Sequence, residues 1–463
     1  MRAPIRDAVQ PIPMRRSKLT SGSTAPPDAR PEPNAWTTPA IFFSLIVISI
    51  FSNGNLHPKV LPVSEDSNLQ QYIGVGLWAV VVVVSYFRRV IVRLAPRPGL
   101  FVALGIYAIA VASPLWSTNF MASLPKATAL AIVAFGAYRL TRTFDIDAII
   151  DAVFFGQFFL CVASIAVALF IPDIGVLKTW QHAGQWNGVF YTKQNLGVLA
   201  AVFLFFSCYR LLTPQRGLYH ALGALVALVC IVMSGSRGGG GLAAFAVGCL
   251  YLAGLSLTFT RILAFAPFFM GLLGTALIAY FVKTGSRYLL LFGQEIDFTE
   301  RTFIWQHALS YFMDRKWLGF GLNGFWTIPE VKDLFTERHG WFLDNYHDGY
   351  IAIAMETGAT GLAVFLIGAL MFGLRILERI RQERRLDPHI ALSLVYACLL
   401  FFIDFTETFF LRSTNISATM LLTCFVLVYA RPAPAPQEAT ESLRFEEPAP
   451  RRSRGRTRMG AAR

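Results

Sequence analysis

His347 stands in the run Tyr346-His347-Asp348-Gly349-Tyr350, at the mouth of an apolar stretch. An imidazole, with an unperturbed pKa of about 6.5, is suited to take or give a proton near neutral pH. Arg237, Arg301 and Lys193 fall in three other polar breaks of the same chain. Guanidinium groups offer fixed forks of donors that match phosphate oxygens. An imidazole and fixed cations at one membrane surface point to chemistry on an anionic, lipid-borne substrate. In that reading Arg237 and Arg301 hold the anion, Lys193 is a third cation, and His347 handles the proton. Asp348 is expected to orient the His347 ring, as carboxylates commonly do.

The elements that must carry these residues are membrane helices. The chain has 463 residues, 55% hydrophobic and only 15% charged, with apolar runs long enough to span a bilayer at about 20 residues each. The composition predicts an all-α, polytopic membrane protein. Hydropathy gives about twelve spans, at 36–52, 70–87, 99–115, 124–138, 147–170, 195–212, 217–233, 239–259, 262–283, 349–373, 389–410 and 414–430. Residues 35–430 thus form one transmembrane domain, with a single large polar loop at 284–348.

Much of the net charge of +13 lies in two tails, 1–34 and 431–463. The second holds Arg451, Arg452, Arg454, Arg456 and Arg458 behind a Pro-Ala repeat. Such segments cannot bury a core and are expected to be disordered. A basic tail near anionic lipid is favoured over nucleic-acid binding. More than about thirty polar residues before the first apolar run predict no cleavable signal peptide. The six cysteines all fall in apolar runs, so neither a disulfide framework nor a cysteine metal site is expected. No His pair or acid cluster has metal-ligand spacing, and no metal or cofactor is predicted.

Arginines mark one set of connections: Arg88, Arg89, Arg93 and Arg97; Arg139 and Arg142; Arg210 and Arg216; Arg261; Arg375, Arg379, Arg381, Arg384 and Arg385. With the N-terminus inside, every one is cytoplasmic, as the positive-inside rule asks, and both termini are inside. The alternate connections then face out: 171–194, the turn at 234–238, the loop 284–348 and the turn at Arg412.

Within the loop, Asp297-Phe298-Thr299-Glu300 reads as a helix cap. It opens a short amphipathic helix, 301–313, expected to lie on the membrane surface with Arg301 in its first turn, near free backbone N–H groups that suit phosphate. The run Gly319-Phe320-Gly321-Leu322-Asn323-Gly324 reads as a tight turn between aromatics before it reads as a phosphate cradle. Each candidate also has a bland reading: a snorkelling interfacial lysine for Lys193, a capped hairpin at 234–238, and a helix-start spacer for His347. His182, His307 and His339 lack comparable context.

Together these segments resemble the O-antigen ligase and Wzy-type polysaccharide polymerase superfamily, most of all its succinoglycan-type exopolysaccharide polymerases. The resemblance runs from about residue 113 to 407. Its parts are Ser113-Pro114-Leu115-Trp116-Ser117, the run from Trp186 through Lys193 to Gly197, Ser236-Arg237-Gly238, Arg301 with Trp305, Gly319 to Gly324, and His347 followed by Glu356-Thr357-Gly358 and Gly361. The family often has His where Thr192 and Asn345 stand, and usually Asn where Asp348 stands.

That resemblance implies a GT-C-like glycosyltransferase of the bacterial cytoplasmic (inner) membrane with its active site facing the periplasm. It would join oligosaccharide repeat units carried on undecaprenyl diphosphate to a glycan acceptor, by metal-independent inverting transfer. His347 would be general base, and Arg237, Arg301 and Lys193 would bind the donor diphosphate. Membrane lipid is an implied partner, a chain-length regulator or export complex an open one, and nucleic acid is not. Two alternatives stay open within this reading: an O-antigen ligase acting on lipid A core, and a transporter or flippase of lipid-linked glycan. A non-catalytic assembly partner of an export complex is a third.

Overall fold

The computed structural model describes residues 37–431 except 53–55, 61–68, 89, 95–96, 181, 215–216, 287, 292–293, 297–300, 340–344, 384–385 and 414. The two predicted tails, apart from Arg431, and the Asp297–Glu300 cap lie outside the described residues.

The chain is helical almost throughout. In order run α1 (Thr37–Phe51), α2 (Leu69–Tyr86), α3 (Pro98–Ala112), α4 (Phe120–Thr143), α5 (Ile146–Phe170), the single turn α6 (Pro172–Gly175), α7 (Lys193–Leu212), α8 (Leu218–Ser234), α9 (Arg237–Leu255), α10 (Leu257–Leu263) and α11 (Ala266–Thr284). The polar loop follows with a small hairpin, β2 (Leu289–Leu291) and β3 (Gln294–Ile296), then α12 (Arg301–Ser310) and α13 (Pro329–His339). The chain closes with α14 (Gly349–Glu383), α15 (Pro388–Ile403) and α16 (Ile416–Val428). A two-residue ribbon joins β1 (Arg93–Leu94) to β4 (Ala430–Arg431).

Among the described residues, eight helical segments are long and apolar enough to cross a membrane: α2, α3 with the turn after it, α4, α5, α7, α9, α10 with α11, and α14. Four shorter apolar helices, α1, α8, α15 and α16, make up the rest of the predicted segments. The protein is a multi-pass membrane protein. Hydropathy ended three segments wrongly: α4 runs from Phe120 to Thr143, beyond 124–138; α14 runs on to Glu383, past 373; and α15 stops at Ile403, short of 410, which leaves Asp404 and Glu407 outside the helix.

Small residues let the helices pack. A Cβ on Gly239 would lie 2.7 Å from the backbone of Gly197, so α7 and α9 touch almost backbone to backbone, as small residues allow between helices in lipid. The described cysteines are all free.

One end of the bundle gathers the arginines. Arg88 donates to Thr143 O at 3.1 Å, Arg139 to Ser85 O at 2.7 Å, and Arg97 pairs with Glu378. Arg210 is fully buried between Asp147 and Asp151, 2.6 Å from each. These four arginines of the predicted pattern thus share one end of the bundle, where the β1–β4 ribbon also lies.

The other end is organised by a break in α14. Gly358 has φ 68° and ψ −170°, a region open essentially to glycine alone. A Cβ there would lie 2.4 Å from Trp317. The break frees backbone groups that must find partners. The polar loop supplies them: Phe320 N donates to Met355 O at 2.7 Å and Gly321 N to Glu356 O at 3.1 Å, while Lys316 O accepts from Ala359 N at 2.7 Å and Trp317 O from Thr360 N at 3.2 Å. Gly319 and Gly321 sit at φ 69° and 81° to make this approach. The glycine run is therefore a structural lace. Two of the N–H groups a phosphate cradle would need are already spent on α14.

The Ser113–Trp116 turn pins the same lace from behind. Trp116 Nε1 donates to Leu318 O at 2.8 Å, Leu322 N to Ser113 Oγ at 2.9 Å, and Ser123 Oγ to Leu322 O at 2.6 Å.

Candidate functional site

Three separate stretches of chain meet where α14 begins. The first is the start of α12. Its buried residues are Thr302, Ile304, Trp305, Ala308 and Leu309, the spacing of one helical face. This face packs inward, with Trp305 against Phe281 of α11 at 6.0 Å and its Nε1 donating to Tyr346 O at 3.0 Å. The expected surface helix is thus docked on α11 and α14 instead. The reason is that its apolar stripe holds a tryptophan whose N–H needs a buried acceptor.

The second stretch carries His347. Its φ of 51° is left-handed, costly for a side chain with a Cβ. Asn345 holds it there: its Oδ1 accepts from His347 N at 3.1 Å, a local turn that asparagine favours. Asp348 does not orient the ring. It is buried, its Oδ1 accepts from Ile351 N at 2.8 Å, and its own N donates to Thr408 Oγ1 at 3.2 Å. It is the N-cap of α14, a role asparagine fills equally well.

The third stretch is the connector between α15 and α16. Asp404 is fully buried and shapes it, with Oδ1 accepting from Phe409 N at 2.7 Å and Phe410 N at 3.2 Å. Gly349 N donates to Asp404 O at 2.7 Å, and a Cβ on Gly349 would fall 1.9 Å from Asp404 Oδ1. Only glycine fits between His-Asp and the connector.

The connector delivers Glu407 to both other stretches. Its Oε1 lies 2.9 Å from Arg301 Nη2, and its Oε2 lies 3.5 Å from His347 Nδ1. Arg301 also donates to Thr406 O. All three side chains keep a solvent-facing edge, 22% exposed for Arg301, 30% for His347 and 21% for Glu407. Burial pushes the Glu407 carboxyl up, but the neighbouring His347 and Arg301 outweigh it and hold the group below the ordinary carboxylate value.

Behind this trio a second ion pair ties the connector to the α14 break. Arg412 Nη1 lies 3.0 and 2.9 Å from the two oxygens of Glu356, which is 2% exposed.

The remaining predicted cations form a separate group. Thr192 caps α7 through Asn195 N at 3.3 Å, which places Lys193 in its first turn. Lys193 is not a snorkelling lysine. It is 9% exposed and donates to Gln185 Oε1 at 2.6 Å, with His182 Nδ1 at 3.3 Å. His182 has a context after all, supplied by a loop fold that its sequence neighbours do not announce. The turn at 234–238 is the expected capped hairpin: Gly235 is left-handed and Ser236 Oγ caps Gly239 N at 3.2 Å. Arg237 follows at the start of α9, exposed, with no hydrogen bond or ion pair among the described residues. Gln185, the partner of Lys193, lies against Gly235, and Ser236 against Gly197. Arg237 and Lys193 therefore start neighbouring helices side by side.

Both groups lie at the same end of the bundle. Phe245 of α9 stacks on Phe402 of α15 at 4.8 Å. Arg237 lies about 12 Å from that layer at the helical rise per residue, toward the helix start, and Glu407 lies beyond it on the connector. No hydrogen bond or ion pair joins Arg237 or Lys193 to the Arg301–Glu407–His347 trio among the described residues. The structure brings two of the four predicted residues, His347 and Arg301, onto one carboxylate, and leaves Arg237 and Lys193 as a neighbouring pair.

Glu407 was missed by the sequence reading because hydropathy put it inside a span. A signal was present: Asp404 and Glu407 are ionisable groups in an apolar run, and such groups are expensive at membrane depth unless used.

Asp348 gives a pH-dependent expectation. Burial pushes its carboxyl up to about 7, against backbone hydrogen bonds to Ile351 and Tyr350 and the Arg301 charge. The folded state then holds this proton more tightly than the unfolded chain does. Its contribution is most favourable below about pH 4 and is lost as pH rises toward about 7. Asp348→Asn keeps the cap and removes the ionisation. Its thermal midpoint in detergent should exceed the parent's at pH 8, with the gap narrowing as pH falls and closing only below about pH 4. An equal or lower midpoint at pH 8 contradicts this account.

Residues 222–366 match the family model described as O-antigen ligase. That segment runs from α8 into α14 and includes Arg237, Arg301 and His347. The exopolysaccharide production protein ExoQ of Rhizobium meliloti is 25% identical over 366 residues, covering 75% of this chain and 80% of the relative. No solved structure gives a significant match.

Proposed function

We propose that this O-antigen ligase-like membrane protein is an exopolysaccharide polymerase that joins repeat units carried on undecaprenyl diphosphate. The observation that carries the reading is the meeting of the His347 imidazole and the Arg301 guanidinium at one carboxylate, with Arg237 and Lys193 at the same end of the bundle. The similarity to an exopolysaccharide production protein favours polymer growth over transfer to lipid A core.

The chemistry follows from those groups. A hydroxyl of the acceptor glycan attacks the anomeric carbon of the donor sugar, and the bond from that carbon to the diphosphate oxygen breaks with inversion. Diphosphate is already a good leaving group, so it needs charge stabilisation more than a proton. Arg301, Arg237 and Lys193 supply that charge as fixed donors. His347 takes the hydroxyl proton through Nε2, since Nδ1 faces Glu407. The polyprenyl tail lies among apolar surfaces.

The basic end of the bundle is the cytoplasmic one by the positive-inside rule. On this reading the site faces out from the cytoplasmic membrane, both termini are inside, and the loop 284–348 is outside; the arginine bias supports it. The test is reconstitution. The purified chain in nanodiscs, given lipid-linked repeat units from the source cells with EDTA and no nucleotide sugar, should lengthen the glycan. Movement of the lipid across a bilayer with no change in glycan length would support the flippase reading instead.

A further inference from the structure

We infer that Glu407 is a positioning residue that passes from Arg301 to His347 when the donor diphosphate binds. The base is then set only when the donor is in place. This rests on the polymerase reading above, with His347 as base and Arg301 as a diphosphate ligand.

The geometry is that of a carboxylate held by the wrong partner for catalysis. Glu407 Oε1 is hydrogen-bonded to Arg301 at 2.9 Å. Oε2 stands 3.5 Å from His347 Nδ1, outside good hydrogen-bond distance, and Nδ1 is a buried ring atom with no hydrogen-bond partner among the described residues. A buried polar atom left unmatched is costly. The unmet bond is therefore a demand that the resting structure leaves standing.

Among the described residues, the other charged groups around the ring are committed elsewhere. On the α14 side, Asp348 caps Ile351 and Glu356 is paired with Arg412. On the connector, Asp404 holds Phe409 and Phe410. On α12, Arg301 bonds Thr406 O and Glu407. Glu407 alone among these acids faces both Arg301 and His347.

A diphosphate is a stronger partner for a guanidinium than one carboxylate, because it offers more charge and two-point bonding. Its arrival at Arg301 frees Oε1. The connector is fixed by Asp404, so only the Glu407 side chain has to turn. A shift of less than about 1 Å closes Oε2 on Nδ1 to hydrogen-bond distance. That bond keeps the proton on Nδ1 and leaves the Nε2 lone pair toward the acceptor hydroxyl. When the new glycosidic bond forms, the hydroxyl proton goes to Nε2 and the carboxylate stabilises the imidazolium. When undecaprenyl diphosphate leaves, His347 releases the Nε2 proton to solvent and Arg301 takes the carboxylate back. Glu407 thus opposes donor binding and supports turnover.

Those two effects have opposite signs in one variant. With the full chain in nanodiscs, Glu407→Gln should bind undecaprenyl diphosphate more tightly, on the order of tenfold, because Arg301 loses its competing charge. It should elongate lipid-linked repeat units on the order of 10²-fold more slowly, because the base loses its orienting carboxylate. Glu407→Asp should recover part of the turnover. In a His347→Ala background Glu407→Gln should still tighten binding and have no further effect on turnover. Weaker binding of undecaprenyl diphosphate by Glu407→Gln, or unchanged turnover, overturns the inference. The two failures separate cleanly. Normal turnover by His347→Ala sinks the base assignment itself. An inactive His347→Ala beside a fully active Glu407→Gln sinks only the handover.

Discussion

His347→Ala is expected to slow glycan elongation by about 10²–10⁴-fold, the usual worth of a positioned general base, while the protein keeps its elution profile and its affinity for undecaprenyl diphosphate. The ring keeps 30% of its side chain exposed, so its loss should remove chemistry and leave the scaffold. The cations should behave differently. Arg301→Ala and Arg237→Ala each remove a donor to the diphosphate and should weaken undecaprenyl diphosphate binding as well as turnover. If the two arginines hold one diphosphate from adjacent groups, the double variant will lose less than the sum of the single losses. Full additivity would mean that Arg237 and Lys193 serve a separate anion. Normal elongation by His347→Ala combined with Arg237→Ala would refute the site.

The largest structural effect is expected at Arg412. Arg412→Met strips the partner from Glu356, which is 2% exposed inside the α14 break. A buried carboxylate left unpaired costs about 3–5 kcal/mol, and the partial exposure of Arg412 places the expected loss near about 3 kcal/mol. The combined variant Glu356→Leu with Arg412→Met should recover most of that, since a buried ion pair can often be replaced by apolar groups. Unfolding in detergent, followed by heat or SDS, measures both. A single variant as stable as the parent, or a double variant no better than the single, contradicts the role given to this pair. Function should follow stability here: the same break receives the lace from residues 316–321 and stands directly behind the start of α14, so its loosening reaches His347 through the connector.

The relation between fold and site explains why each glycine in the region is fixed by a different neighbour. Gly358 needs a backbone conformation that side chains do not adopt, while Gly349 has a carboxylate where its Cβ would be. Both serve the same end. They let a discontinuous helix and a short connector pass close enough to put one carboxylate between an arginine and a histidine. Discontinuous helices are a recurrent way to place polar groups at membrane depth, because the freed backbone must be satisfied by protein.

By itself the sequence determined the class of the protein and the rough place of its helices. Apolar runs and arginine bias are sums over many residues, so a single chain states them plainly. It also determined which residue types were worth attention: His347 and Arg301 stand out because an imidazole and a guanidinium are conspicuous beside apolar runs. Tertiary structure alone decided what those residues touch. Glu407 meets Arg301 across more than a hundred positions of chain, and local pattern carries no information at that separation. Asp348, adjacent to His347, turned out to face a helix end instead, because the cap geometry of α14 claims its oxygens first. Lys193 found Gln185 and His182 through a loop, and α15 ended early because the buried Asp404 is better satisfied by connector N–H groups than by continuing the helix. Hydropathy averages over such points. Hydrogen bonding, which needs atoms within about 3 Å, decides them one at a time.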